Sequence, residues 1–220
     1  MTKHLRTDLG SLERRILALG ARVEQAVRHS IAALTTRRAG LALEVISGDV
    51  EIDREEVRLE EDCLKVLALH QPVANDLRFV AACLKITNDL ERIGDLAVNI
   101  SKRAASLDHS PMAAPAVLAP LTEQTATMVR QSLDAFVRGD LDLARQVLAE
   151  DDVVDGYNRT VFKEMVALMQ RDSQRIEDAL LFLSASKNLE RIADHATNIA
   201  EDVMYMVEGE IVRHRAARGG

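Results

Sequence analysis

Aromatic residues make up 3% of this 220-residue chain, and tryptophan is absent. Strand-rich folds lean on aromatic and β-branched side chains and on frequent turn residues. With 10 glycines and 4 prolines as well, the composition argues against them and for an all-helical protein. Only two cysteines occur, Cys63 and Cys83, and they make no C-x-x-C pair. We therefore expect buried helix residues in a reducing compartment, not a disulfide framework or a zinc site. Continuous apolar runs such as Ala179–Leu183 are short, far below the roughly 20 residues that span a bilayer. The N-terminal MTKHLRTDLGSLERR carries no apolar stretch, so no signal peptide is expected. Positive charge is in deficit too, with a net charge of −7. That disfavours nonspecific binding to nucleic acid, which needs a clustered basic surface. The expectation is a cytoplasmic protein with hydrophobic content, 47%, high enough for a real core.

What the chain does have is a repeat. DLERIGDLAVNI at Asp89–Ile100 returns as NLERIADHATNI at Asn188–Ile199, identical at eight of twelve positions and offset by 99 residues. Upstream, Ala26–Leu34 parallels Met128–Phe136 at an offset of 102, which also carries Asp49, Ile52 and Asp53 onto Asp151, Val154 and Asp155. A period this long is too great for a solenoid and implies an internal duplication.

Helical periodicity fills both copies. Leu5, Leu9, Leu12, Ile16, Leu19, Val23, Ala26, Ser30 and Ala33 alternate spacings of four and three, an a/d seam of a helix roughly 45 Å long. Breaks at Arg38–Gly40 and at Gln71–Pro72 predict a second helix near 41–70 and a third near 73–106, with Pro72 in its first turn. Three of the four prolines fall in 107–120, the linker. Helices near 117–138, 141–171 and 174–208 repeat the plan, with Asp172 or Ser173 as a cap. The fold expected is all-α: two tandem three-helix bundles, six helices in all, related by pseudo-two-fold symmetry. The first repeat covers 1–108, the second 115–210, and 211–220 forms a flexible basic tail.

The duplication singles out acids. Leu90, Ile93, Ala97 and Ile100 make the core stripe of their helix; Asn88, Glu91, Asp95 and Asn99 make a polar stripe on the opposite face. Lys187, Glu190, Asp194 and Asn198 repeat that polar stripe, joined by Glu201. On the second helix Asp49, Asp53, Glu56 and Glu60 flank the core positions Val45, Ile52, Leu59 and Cys63, with Asp151, Asp155 and Asn158 repeating them. Carboxylates one turn apart repel by a few tenths of a kcal/mol, so keeping the pairs in both copies suggests a use. Hard oxygen donors at this spacing suit a divalent or trivalent cation. They equally suit solvated acids paired with Arg54, Arg92 or Arg191. His195 falls off the acidic stripe and reads as a structural or surface residue, or less readily a ligand.

LERIGDLAVNI and LERIADHATNI resemble the paired signature of the PhoU family of phosphate-signalling regulators. Gln71-Pro-Val-Ala-Asn-Asp76-Leu-Arg78 resembles its Q-P-x-x-x-D-L-R segment. The resemblance covers about residues 5–210 and implies two three-helix bundles. It implies E/D-x-x-x-D motifs that hold iron or other divalent or trivalent ions (zinc, manganese or magnesium), often as multinuclear clusters. Those motifs fall on Glu91 and Asp95, Glu190 and Asp194, Asp49 and Asp53, and Asp151 and Asp155. The resemblance further implies a cytoplasmic homodimer, not an enzyme, that links a phosphate ABC transporter to a membrane histidine kinase and represses the phosphate-starvation response. Three departures stand out. Ala193 replaces the glycine of ERIGD, Asp76-Leu-Arg78 has no counterpart in the second copy, and Asn158 and Lys187 dilute the second acid set. Two rivals remain. A metal-free helical adaptor fits the same pattern. A di-iron carboxylate enzyme needs Glu-x-x-His on its ligand helices; none of His4, His29, His70, His109, His195 and His214 has a glutamate three residues before it.

Overall fold

A computed structural model describes residues 3–107, 110 and 112–209. The expected residues of the tail, 211–220, and His109 and His214 lie outside them. Six helices follow in order: α1 (Lys3–Thr36), α2 (Ala39–His70), α3 (Ala74–Ser106), α4 (Leu118–Arg138), α5 (Leu141–Arg171) and α6 (Ile176–Glu208). No strand occurs among the described residues. The fold is the all-α duplicated plan, with α1–α3 and α4–α6 as the two three-helix sets. None of the described helices is long and apolar enough to cross a membrane.

The helix ends show how the sequence sets them. Gln71, in the left-handed region at φ 44°, closes α2 by donating its backbone N–H to Leu67 O at 3.2 Å. Pro72 then precedes the helix instead of sitting in its first turn. The extended Val73 is the N-cap of α3, and Ala74 turns at φ 50°. The residue before α3 is thus held extended in a turn with two positive-φ residues, and α3 starts one residue later than expected. Pro120 does lie in the first turn of α4, where its missing N–H costs nothing because first-turn N–H groups lack partners. Asp140 caps α5, its Oδ1 accepting from the N–H groups of Asp142 and Leu143 at 3.1 and 3.0 Å. Asp172 accepts from Gln174 N at 3.0 Å and caps a 3-10 turn, Ser173–Arg175, that delays α6 to Ile176.

The core follows the seam read from the sequence: Leu5, Leu12, Ile16, Leu19, Val23, Ser30 and Ala33 of α1 are buried. Leu9 and Ala26 are only partly covered, and Val27 is buried in place of Ala26. The stripe drifts because an α-helix turns in 3.6 residues, not 3.5. Cys63 and Cys83 are free and buried; loss of water pushes the Cys63 thiol up to about 12.

The two halves are packed against each other along α3 and α6, with a smaller α1–α4 contact. At Gly20, an added Cβ would lie 2.9 Å from Leu133 of α4, so glycine lets α1 approach. Across the main seam Lys85 Nζ meets Asp202 Oδ1 at 2.9 Å, and Arg103 Nε donates to Ser184 Oγ at 3.0 Å. Residues 85 and 184, like 103 and 202, are repeat mates offset by 99. The two contacts are therefore one contact and its pseudo-two-fold image. Arg37 secures the linker, donating to Leu107 O at 3.0 Å and Met112 O at 2.8 Å.

Candidate carboxylate grooves

Because α3 lies along α2, and α6 along α5, the acids of each pair share a groove. In the first groove Asp49 is half-buried, and burial followed by the charges of Asp53 and Asp95 raises its pKa. Burial, then Asp95, raises Glu91; Glu56 and Asp53 push in the same direction, and Arg92 opposes. Burial and the neighbouring Glu60 and Asp53 raise Glu56. Asp49, Asp53, Glu91 and Asp95 thus feel one another's charge along the α2–α3 contact, and Glu56 joins them.

The second groove is its counterpart. Burial, then the charges of Asp194, Asp155, Asp152 and Glu190, lift Asp151 to about 6. Asp194 keeps exposed surface, yet desolvation and Glu190 raise it, against Lys187 and His195. All eight acids singled out by the repeat fall in these two grooves, four in each.

Their stripe is less outward than the helical wheel suggested. Glu91 and Asp95 are covered on one flank by α2, and their side chains keep 21% and 45% of their exposure. A wheel for α3 alone cannot include the neighbour that covers it. Two carboxylate oxygens, Asp49 Oδ1 and Glu91 Oε2, are buried without a hydrogen bond, and so is Glu190 Oε2. Cations sit beside two of them: Arg92 Nε lies 3.4 Å from Glu91 Oε2, and Lys187 pairs with Glu190. Arg92 also reaches Asp95 at 3.5 Å, as the arginine–acid reading expected. That leaves Asp49 Oδ1 with neither a hydrogen bond nor an ion pair among the described residues, and a buried carboxylate oxygen without a donor is costly. Its hard-oxygen chemistry fits a cation. In their present rotamers, though, no three acid, histidine or cysteine side chains among the described residues converge closely enough to hold an ion.

His195 is not part of the acid set. It crosses the seam to Asp89, its Nδ1 2.8 Å from Asp89 Oδ1, and Asn198 Nδ2 donates to the same oxygen at 3.2 Å. Asp89 is 7% exposed. This cluster escaped the sequence reading, although the repeat held a signal. Asp89 becomes Asn188 in the second copy, and Leu96 becomes His195.

The class this defines is a tandem-repeat helical protein with one carboxylate groove per repeat. The PhoU domain matches it twice, at residues 16–104 and 118–203. The chain belongs to the PhoU family. A phosphate-specific transport system accessory protein PhoU homolog of Pseudomonas putida is 38% identical over 217 residues, covering 97% of this chain and 84% of the relative. The protein named phosphate-specific transport system accessory protein PhoU from Escherichia coli (strain K12) is 34% identical over 221 residues, covering 97% and 91%. The crystal structure of PhoU from Pseudomonas aeruginosa superposes with a TM-score of 0.90 at 37% identity, over 93% of this chain and 99% of that one. A phosphate transport system regulatory protein PhoU from Streptococcus pneumoniae gives a TM-score of 0.89 at 29% identity, over 94% and 99%.

Proposed function

We propose that this chain is a cytoplasmic, non-catalytic regulator of phosphate uptake. It couples a phosphate ABC transporter to a membrane histidine kinase and keeps the phosphate-starvation response off when phosphate is plentiful. The observation that carries the reading is full-length similarity, over 97% of the chain, to proteins named as accessories of phosphate-specific transport. Deleting the gene tests it. A starvation-responsive phosphatase should become constitutive in phosphate-replete medium and be repressed again by the intact gene. Unchanged repression in the deletion strain overturns the reading.

In the same reading the two grooves bind iron or another divalent or trivalent ion through Asp49, Asp53, Glu91 and Asp95, and through Asp151, Asp155, Glu190 and Asp194. Support comes from the buried, unpartnered Asp49 Oδ1 and from the mutual repulsion that a cation would relieve. The side chains would hold the ion after a change of rotamer, and the ion would neutralise acids contributed by two helices. Metal content of tag-free protein, measured beside Glu91→Ala/Asp95→Ala and Glu190→Ala/Asp194→Ala, decides the point. Metal lost from each variant supports ligation. A metal-free adaptor is the second reading, favoured by the absence of three already converged donors among the described residues. It predicts no stoichiometric metal even after incubation with iron, manganese or zinc.

A homodimer completes the proposal. Leu43, Val50, Val57 and Leu64 are all exposed on α2 at intervals of seven residues, a stripe suited to self-association. Light scattering on the eluting protein reads the mass directly.

A further inference from the structure

The halves diverge at the far end of the groove, beyond the acid cluster. In the second half, the space between α5 and α6 past Asp155 is a cavity of about 440 Å³. Phe162 and Leu183 line it, and Ser186 Oγ donates to Asn158 Oδ1 at 2.8 Å beside them. Its charged walls are Arg159, Lys163 and Lys187; no carboxylate lines it. The repeat mates of Asn158, Phe162 and Lys163 are Glu56, Glu60 and Glu61. Three acids of the first copy have thus become an amide, an aromatic ring and a cation. Arg159 stands where the first copy has Val57, and Lys187 where it has Asn88. On a chain of net charge −7, the far end of one duplicated groove has exchanged its acids for cations.

The apolar surface extends further along α6. Phe162 is 59% exposed, Leu180 53% and Ile176 41%. Leu180 and Ile176 precede Leu183 by three and seven residues, so all three share one helix face. From Ile176 to Lys187 that face is about 16 Å long. A floor of this length and shape matches the i, i+3, i+4, i+7 anchors of an amphipathic helix laid in a groove. The cations select its flanking charge. Arg159 is already committed to Asp155 at 3.3 Å, and Lys187 to Glu190. Lys163 has no ion pair among the described residues and is exposed. It is the cation free to meet an incoming carboxylate.

We infer that this α5–α6 groove docks an amphipathic helix of a partner protein, one whose apolar stripe is flanked by aspartate or glutamate. The inference rests on the charge reversal and the apolar floor, not on the phosphate-transport reading, and either can fail alone.

The test uses the full chain and two synthetic helical peptides. Both carry leucines at i, i+3, i+4 and i+7; one is flanked by glutamates, the other by lysines. Binding is followed by fluorescence anisotropy. The glutamate peptide should bind saturably and at least ten-fold more tightly than its twin. Lys163→Glu and Phe162→Ser should each weaken it about ten-fold or more, while Glu61→Gln, at the repeat mate of Lys163 in the first half, leaves it unchanged. Both altered side chains are exposed, and circular dichroism melts verify that the fold survives. Equal binding of the two peptides, or wild-type affinity in both variants, overturns the inference. So does displacement of the peptide by ATP with the same dependence on Lys163, which would make the groove a small-anion site.

Discussion

His195 Nδ1 lies 2.8 Å from Asp89 Oδ1 across the seam between the two halves. Their repeat mates are Leu96 and Asn188, so one side of the seam joins an acid to a histidine where its pseudo-two-fold image sets an amide against an aliphatic side chain. The two departures from the repeat belong together. Leucine at 195 would leave the nearly buried Asp89 with Asn198 as its remaining donor. His195→Leu alone should cost about 1–3 kcal/mol, the usual penalty for removing a partner from a buried polar group. Asp89→Asn combined with His195→Leu rebuilds the chemistry of the symmetry-related pair, Asn188 and Leu96, and should cost less than the sum of the single changes. Urea unfolding of all four proteins gives the coupling; strict additivity would refute the pairing.

A second pair of departures is steric. A Cβ on Gly94 would lie 3.2 and 3.3 Å from Ile52 Cδ1 and Cγ2, tight enough to force movement in a packed core. The second half has Ala193 at the equivalent of Gly94 and Val154 at the equivalent of Ile52. One carbon has been added to one helix and one removed from its neighbour. Gly94→Ala alone should destabilise by about 1–3 kcal/mol, despite alanine's better helix propensity. Ile52→Val in the same protein should recover most of that loss, read as a shift in the thermal midpoint.

These pairs mark what the sequence could and could not yield. The six helices were legible because apolar spacing, Gly, Pro and Asp punctuation and the repeat all act within one helix or its ends. The eight acids were legible because duplication repeated them at fixed spacing. How far they are buried was not, since a wheel for α3 holds no information about α2. Contacts such as Lys85–Asp202 and His195–Asp89 join residues more than 100 positions apart. No local pattern announces them, and the second is visible only as correlated changes between copies. Likewise, Pro72 looked like a first-turn residue because proline suits that place. The positive φ angles of Gln71 and Ala74 moved the helix start past it.

The cap of α5 gives a simpler expectation. Asp140 Oδ1 accepts from two backbone N–H groups of the first turn, those of Asp142 and Leu143. Asp140→Ala should cost about 1 kcal/mol, and Asp140→Asn or Asp140→Ser distinctly less. Equal losses for all three would mean that the charge at the helix start matters and the hydrogen bonds do not.

The sharpest expectation concerns pH. Asp151 is raised to about 6 from an unfolded value near 3.8, by burial first and by Asp194, Asp155, Asp152 and Glu190 after it. Between about pH 3.8 and 6 its folded state therefore binds a proton that the unfolded state has released. Stability from this group is present at low pH and is lost as pH rises through about 6. Asp151→Asn should raise the thermal midpoint at pH 7.5 by roughly 2–4 °C, equivalent to about 1 kcal/mol after allowing for solvent screening. The gain should shrink towards zero near pH 4, where the folded wild type is protonated there too. A bound cation reverses the sense of the experiment, because protons and metal compete for one carboxylate. With a divalent ion present, wild-type protein should gain more at pH 7.5 than at pH 5, and Asp151→Asn should lose most of that gain. Stabilisation by the ion that is equal at both pH values, or equal in the variant, would place the ion elsewhere and leave the groove as a plain acidic surface.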